Sequence, residues 1–228
     1  ICVQKLVQPE VDLPENIPTE ALSHVKILDF TQHVAGPYCT KLMADQGADV
    51  IKVERPGIGD VTRRLGPYPN DIPHPEKSGL FLHLNTNKRS ITLDLATDLG
   101  NNIARQLAVE ADVVVESFRP GTMAFFGVDY ESLKALKQNL VMTSISNFGQ
   151  TGPYRDYQGS DIIFYAMGGD MLGTGLPERE PVKLGHNVIL YQAGATAAVA
   201  TMGALFCSLD PEDGQAVGQH VDVSIMET

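Results

Sequence analysis

Residues 182–194 read VKLGHNVILYQAG and run from a polar turn into a long helix of small residues without one carboxylate. A reaction centre built there would lack an acidic nucleophile. Two aspartates stand upstream. Asp161 opens the helical stretch DIIFYAMGGDML, where a carboxylate suits capping. Asp170, in AMGGDMLGTG, is flanked by glycines that permit close backbone approach to a ligand, and its alternative is a solvated turn. Cys39 lies near the start of another helix, where the dipole lowers a thiol's pKa. Its small apolar neighbours favour a buried packing role instead. The six histidines, His24, His33, His74, His83, His186 and His220, show no pair at ligand spacing on one element, so no metal is expected. Cys2, Cys39 and Cys207 form no CxxC pair, which supports neither a zinc site nor a disulfide framework. TQHVAGPYC follows the first strand-like run without the GxGxxG turn, so NAD binding by that route is not expected. The P-loop, HExxH, GxSxG and EF-hand patterns are missing too.

The elements that must position these groups follow from periodicity. VKILDF reads as a buried strand and AGPYCTKLMADQ as the helix after it. DVIKVE is a second strand and SITLDL a third. TDLGNNIARQLAVEA is an amphipathic helix with a threonine cap, followed by the strand DVVVES. PGTMAFFG and YESLKALK suggest short helices, LVMTSIS a fifth strand, residues 189–209 a buried helix, and QHVDVSI a last strand. Strands alternating with helices predict an α/β fold, a mostly parallel sheet with flanking helices. In such sheets ligands bind beyond the carboxyl ends of the strands, which directs attention to TQHVAG, RPGIGD and SFRPG. Residues 56–79 are rich in proline and glycine and too long for a simple connection, as site-serving loops are. Residues 1–22 carry proline and glutamate without periodicity and read as an N-terminal arm or linker before a domain at 23–228.

Composition excludes some classes of partner. With 228 residues and 43% hydrophobic side chains, the chain can bury a sizeable core. A formal net charge of −11 with no basic run argues against nucleic acid or an anionic membrane surface as a partner. The cysteine pattern fits a reducing, cytoplasmic compartment. Residues 193–209 come nearest to a membrane span, but alanine, glycine and threonine dominate them. Ile1 is not an initiator methionine, and the chain stops just after a strand-like run, so a longer protein is expected.

Five blocks in consistent order carry a family likeness: LDFTQHVAGPYCTKLMADQGADVIKVERPGIGD, LNTNKRSITLDL, ADVVVESFRPGTMAFFGVDYESL, TSISNFGQTGPY and GQHVDVSIMET. From about Val25 to Thr228 the chain resembles the family III CoA-transferases, which include formyl-CoA transferase, carnitine CoA-transferase and α-methylacyl-CoA racemases. The resemblance implies a Rossmann-like large domain, with the small domain missing from this chain. It implies CoA as substrate, CoA thioesters and a carboxylic acid as partners, and an interlocked homodimer or a heterodimer with a catalytic paralogue. By the same likeness Gln32, His33, Val34 and Ala35 would line the CoA site, and Arg55 would meet the nucleotide phosphates. Leu84, Asn85, Thr86 and Asn87 match a second contacting stretch, and Ser117, Phe118 and Arg119 a third. Ser146, Asn147, Phe148 and Gly149 match the stretch beneath the pantetheine arm.

Family chemistry runs on one aspartate that attacks the acyl thioester and then carries CoA itself as a thioester. Its position, five residues after Gly185 and four before Gly194, is Leu190 in this sequence. The histidine of the racemases' GHD motif is replaced as well, in Gly159, Ser160 and Asp161. The turn before the last strand, Asp213 to Gln219, lacks the family's arginine. Three expectations follow: a CoA-binding but noncatalytic subunit or domain, a pseudoenzyme in effect; an active transferase using Asp170 or Asp161; or a structural or regulatory module with a decayed CoA site.

Overall fold

The computed structural model describes residues 20–209 and 217–228. Most of the expected arm, residues 1–19, and most of the turn at 213–219 lie outside them. Six strands form one sheet: β1 (Lys26–Phe30), β2 (Asp49–Glu54), β3 (Lys88–Thr92), β4 (Val113–Glu116), β5 (Val141–Ser146) and β6 (His220–Ser224). Their order is β3-β2-β1-β4-β5-β6, and every pairing is parallel. The larger helices are α1 (Ala35–Ala44), α2 (Gly79–Asn85) and α3 (Asp98–Glu110). Four more follow: α4 (Thr122–Phe125), α5 (Tyr130–Lys134), α6 (Asp161–Met167) and α7 (Asp170–Gly173), before the long α8 (Val188–Leu209).

Alternating side chains of the strands feed two cores, because successive residues point to opposite faces. Ile27, Val113, Val115, Val141 and Ile145 pack with α1 and α8. Leu28, Phe30, Val114, Leu140 and Met142 pack with α3 and α5 on the other side. All four residues of β4 are buried, as expected of a central parallel strand covered on both faces. The chain winds outward from β1 to β3, then returns to β4 and winds the other way. Neighbouring β1 and β4 therefore bracket the topological switch point, where loops diverge and leave a crevice above the strand ends.

Helix α8 packs most extensively on α1. The helix is long and apolar enough to cross a membrane by length and composition alone, but it packs on α1, β5 and β6. Gly194 permits the crossing: a Cβ there would run into the carbonyl oxygen of Ala35. Three local expectations shift. The third strand begins at Lys88 and ends at Thr92 rather than spanning SITLDL, because Lys88 is drawn into an ion pair with Asp29 and Ser90 bonds Glu54. The helix expected over residues 161–172 breaks at Gly169, whose φ of 89° no continuous helix adopts, giving α6 and α7. Helix α2 begins at the end of the region read as irregular, residues 56–79, over residues given no element from the sequence, and is capped by Ser78, whose Oγ accepts from Phe81 N at 3.1 Å.

Candidate functional site

The site is assembled at the carboxyl ends of β1, β4 and β5. Asp29, wholly buried in β1, accepts from the Thr31 amide at 2.8 Å and from the Thr40 hydroxyl at 2.7 Å. Its Oδ2 also meets Lys88 Nζ at 3.1 Å. Burial pushes its carboxyl up, but the charges of Lys88 and Lys52 with the Thr31 and Thr40 hydroxyls outweigh that and bring it to about 2. This bonding turns the chain out of β1, so Gln32 and His33 stand above the sheet. His33 takes a φ of 69° there. The Gln32 amide donates to Ser117 Oγ at 2.9 Å and ties this loop to the one after β4.

That second loop is pinned from below. The Phe118 amide donates to Glu116 Oε2 at 2.7 Å. Burial drives the Glu116 carboxyl up to about 7, against its bonds from Ser144 and Phe118. The long loop after β2 is held by ions: Lys52 Nζ meets Asp60 Oδ2 at 2.9 Å, and Arg63 grips Glu54 through two nitrogens, each at 2.8 Å. The first part of the loop 56–79, which was expected to serve the site, is thereby fixed beside Arg55.

Two cavities result. The first, about 620 Å³, is walled by Gln32, His33, Ala35, Ser117, Phe118, Arg119, Ser146 and Asn147 among the expected residues. Its remaining walls come from the segment 155–161 and from Asn187, Leu190 and Ile225. The second, about 320 Å³, contains Arg55 with Leu93, Asp94 and Leu95. Gln32 and Phe118 border both, so the two spaces adjoin. The other expected contacts lie elsewhere. Val34 is buried at the start of α1 and Leu84 in the same core. Phe148 joins an aromatic group with Phe164, ring centroids 5.7 Å apart. Asn85 ends α2, and Thr86 and Asn87 form the turn to β3, where Asn87 Nδ2 donates to Asp45 at 2.8 Å. Gly149 stands against Asp222 and Ser224.

Leu190 sits in the first turn of α8, 6% exposed, in the cavity wall. Asp161 faces the same cavity from the start of α6, and Lys183 Nζ meets its Oδ2 at 2.7 Å. The same amine donates to the carbonyls of Leu184 and His186 at 3.0 and 2.7 Å. Asp170 is exposed at the start of α7 and does not line the cavity. Cys39 is wholly buried and its thiol is pushed up to about 12 by burial and by Asp29, so it packs rather than reacts. The His33 ring is held below its usual value by burial, although Asp60 and Asp161 oppose this. Among the described residues no three His, Cys, Asp or Glu side chains converge to hold a metal ion.

Arg155, Ser160 and Asn187 are cavity residues that motif reasoning missed. Arg155 follows β5 in SNFGQTGPYR, and the rule that strand ends carry the site would have found it. Asn187 comes from a distant loop, and no local pattern marks it. Buried polar atoms on this cavity that have no hydrogen-bond partner suit a ligand with polar groups: Ser146 Oγ, Arg155 Nε and Asp161 Oδ1. The cavity is large enough for a partly polar small ligand.

An all-parallel, doubly wound sheet with a ligand crevice at its switch point defines the class as a Rossmann-like α/β protein. The chain belongs to CoA-transferase family III, whose family pattern matches residues 22–228. It is 38% identical over 218 residues to the succinate–glutarate CoA-transferase of Agrobacterium fabrum, covering 95% of this chain and 53% of that protein. It is 40% identical over 210 residues to the succinyl-CoA–D-citramalate CoA-transferase of Chloroflexus aurantiacus, covering 92% of this chain and 50% of that one. The crystal structure of a CAIB/BAIF family protein from Brucella suis superposes with a TM-score of 0.81 at 38% identity, covering 93% of this chain and 54% of that one. The chain thus spans about half the length of these relatives.

Proposed function

We propose that this chain binds CoA thioesters as the large-domain part of a CoA-transferase, and that it does not itself supply the acyl-carrying carboxylate. The observation that carries the reading is Leu190: an alkyl side chain stands in the cavity wall where an attacking carboxylate would be needed. In this reading the pantetheine arm runs through the larger cavity past Ser146 and Asn147. The nucleotide end reaches the adjoining cavity, where Arg55 is exposed beside it. The carboxylate comes from a paralogous subunit or another domain, and the reaction moves CoA between a thioester and a carboxylic acid. A dimer with such a partner and a cytoplasmic location belong to the same proposal.

A second reading keeps the chemistry in this chain with Asp161, because that carboxylate does reach the cavity. Its ion pair with Lys183 opposes the role, since the pair must break before the oxygen can attack. Asp170, outside the cavity, has no comparable support. A decayed site fits poorly with buried polar atoms left without protein partners on the cavity.

Restoring the acid tests the proposal. Leu190→Asp, incubated with an acyl-CoA, is expected to form a covalent adduct that peptide mapping assigns to position 190. Firm CoA binding with no adduct at that position would contradict a preserved reaction centre.

A further inference from the structure

A row of polar side chains on the sheet lies outside both cavities yet holds a loop that lines them. Strand register sets Glu116 of β4 beside Ser144 of β5, and Ser144 beside Asp222 of β6. His220 stands two residues before Asp222 and so shares its face. Ser144 is hydrogen-bonded on both sides, to the Glu116 carboxyl and to His220 Nε2, the latter at 2.9 Å. The same carboxyl accepts from the Phe118 amide at 2.7 Å, and Asp222 Oδ2 accepts from the Gln150 amide at 2.9 Å. Tyr130 fixes the imidazole: the two rings stack with centroids 5.2 Å apart, and the Tyr130 hydroxyl donates to the Gly218 carbonyl at 2.8 Å.

A serine hydroxyl has one hydrogen to give, so the row can be bonded in two directions. With Glu116 neutral, its O–H donates to Ser144, and Ser144 donates to a His220 ring protonated on Nδ1. With Glu116 ionised, Ser144 donates to the carboxylate and the ring donates from Nε2. The two states differ by one proton: Glu116 passes its proton to the Ser144 oxygen, Ser144 passes its own to Nε2, and Nδ1 releases one to water. Glu116 is 3% exposed whereas His220 is exposed, so the ring is the contact with solvent. Burial pushes Glu116 up to about 7, and the facing Asp222 adds to this. Burial holds His220 below its usual value, against Asp222 on its own strand and Glu131 and Asp129 at α5. The nearby cation of α5, Lys134, stands over the Tyr130 ring, 5.3 Å from its centroid. The ring is therefore neutral where Glu116 titrates.

We propose that Glu116, Ser144 and His220 form a reversible proton chain whose direction sets the hold on the loop 117–119, and thereby the affinity of the larger cavity. An ionised carboxylate accepts the Phe118 amide more strongly than a neutral carboxyl does, so the loop tightens as the proton leaves. Ser117, Phe118 and Arg119 wall the cavity, and none of the three residues of the chain lines it. The consequence for affinity rests on the CoA-binding reading; the chain itself does not.

Nitrogen NMR of the histidine rings reads the chain, with the His220 signals assigned by their loss in His220→Gln. Between pH 6 and pH 8 the parent ring is expected to pass from protonated Nδ1 to protonated Nε2. Glu116→Gln, whose amide donates to Ser144 as the neutral acid does, should keep the ring on Nδ1 throughout. Ser144→Ala should abolish the dependence. A parent ring that keeps one tautomer, gains a second proton over this range, or still switches in Ser144→Ala overturns the chain. CoA affinity reads the cavity. The ratio of the Glu116→Gln Kd to the parent Kd, in which CoA's own titration cancels, should rise about threefold or more from pH 6 to pH 8. A constant ratio beside a switching ring overturns the link to the cavity alone. A parent that binds no CoA overturns the CoA reading, and hydrogen exchange of the Phe118 amide then decides the hold on the loop. Exchange slower than in Glu116→Gln at pH 8 but not at pH 6 supports it, and equal exchange at both overturns it.

Discussion

Glu116 shows how a single side chain can link stability to the site. Its carboxyl lies under the loop that carries Ser117, Phe118 and Arg119, and burial raises it from 4.5 to about 7. A carboxyl that holds its proton more tightly when folded stabilises the fold at low pH. That advantage disappears as pH rises from the unfolded value through the folded one. The difference corresponds to about 3 kcal/mol. Between pH 4 and pH 8, denaturant unfolding should therefore show the stability gap between Glu116→Gln and the parent moving about 3 kcal/mol in the variant's favour. A gap independent of pH would contradict this account. Leu190 makes the complementary point, since the family resemblance together with the spacing from Gly185 and Gly194 marked that leucine in the sequence. The structure adds that its side chain reaches the cavity. Arg155 follows the end of β5, within reach of the strand-end rule, but no motif marks it.

At the scale of elements, the strands β1, β2, β4 and β5 were readable because a sheet covered on both faces turns them into apolar runs. The edge strand β3 was misplaced by two residues at its start. Its pairing is anchored by the Lys88–Asp29 ion pair, a contact 59 residues apart in sequence that no local pattern contains. Helix α2 was hidden for a different reason: it is short, and a stretch rich in proline and glycine runs into it. The crossing of α8 over α1 depends on Gly194, so Gly194→Ala should force the two backbones apart and destabilise the fold by about 1–3 kcal/mol. Thermal or denaturant unfolding reads this directly. Unchanged stability would mean that the helices separate there without loss of packing.

For the molecule as a whole, the alternation of strand and helix predicted the α/β class, and the strand-end rule pointed to the loops after β1, β2 and β4, of which the first and last meet at one cavity while Arg55 of the second borders the adjoining one. Strand order and the second approach from the segment 155–161 and Asn187 are properties of the assembled sheet and were not visible locally. The same separation governs function. Family membership rests on most of the chain, whereas the proposed loss of the reaction rests on one position in α8. The measurement that tests the central claim most directly is mass spectrometry of the unaltered chain incubated with CoA and acyl-CoAs, recorded under native and then denaturing conditions. CoA retained natively and lost completely on denaturation is the predicted result. A CoA or acyl adduct that survives denaturation and maps to Asp161 would contradict it, because this chain would then supply its own carboxylate.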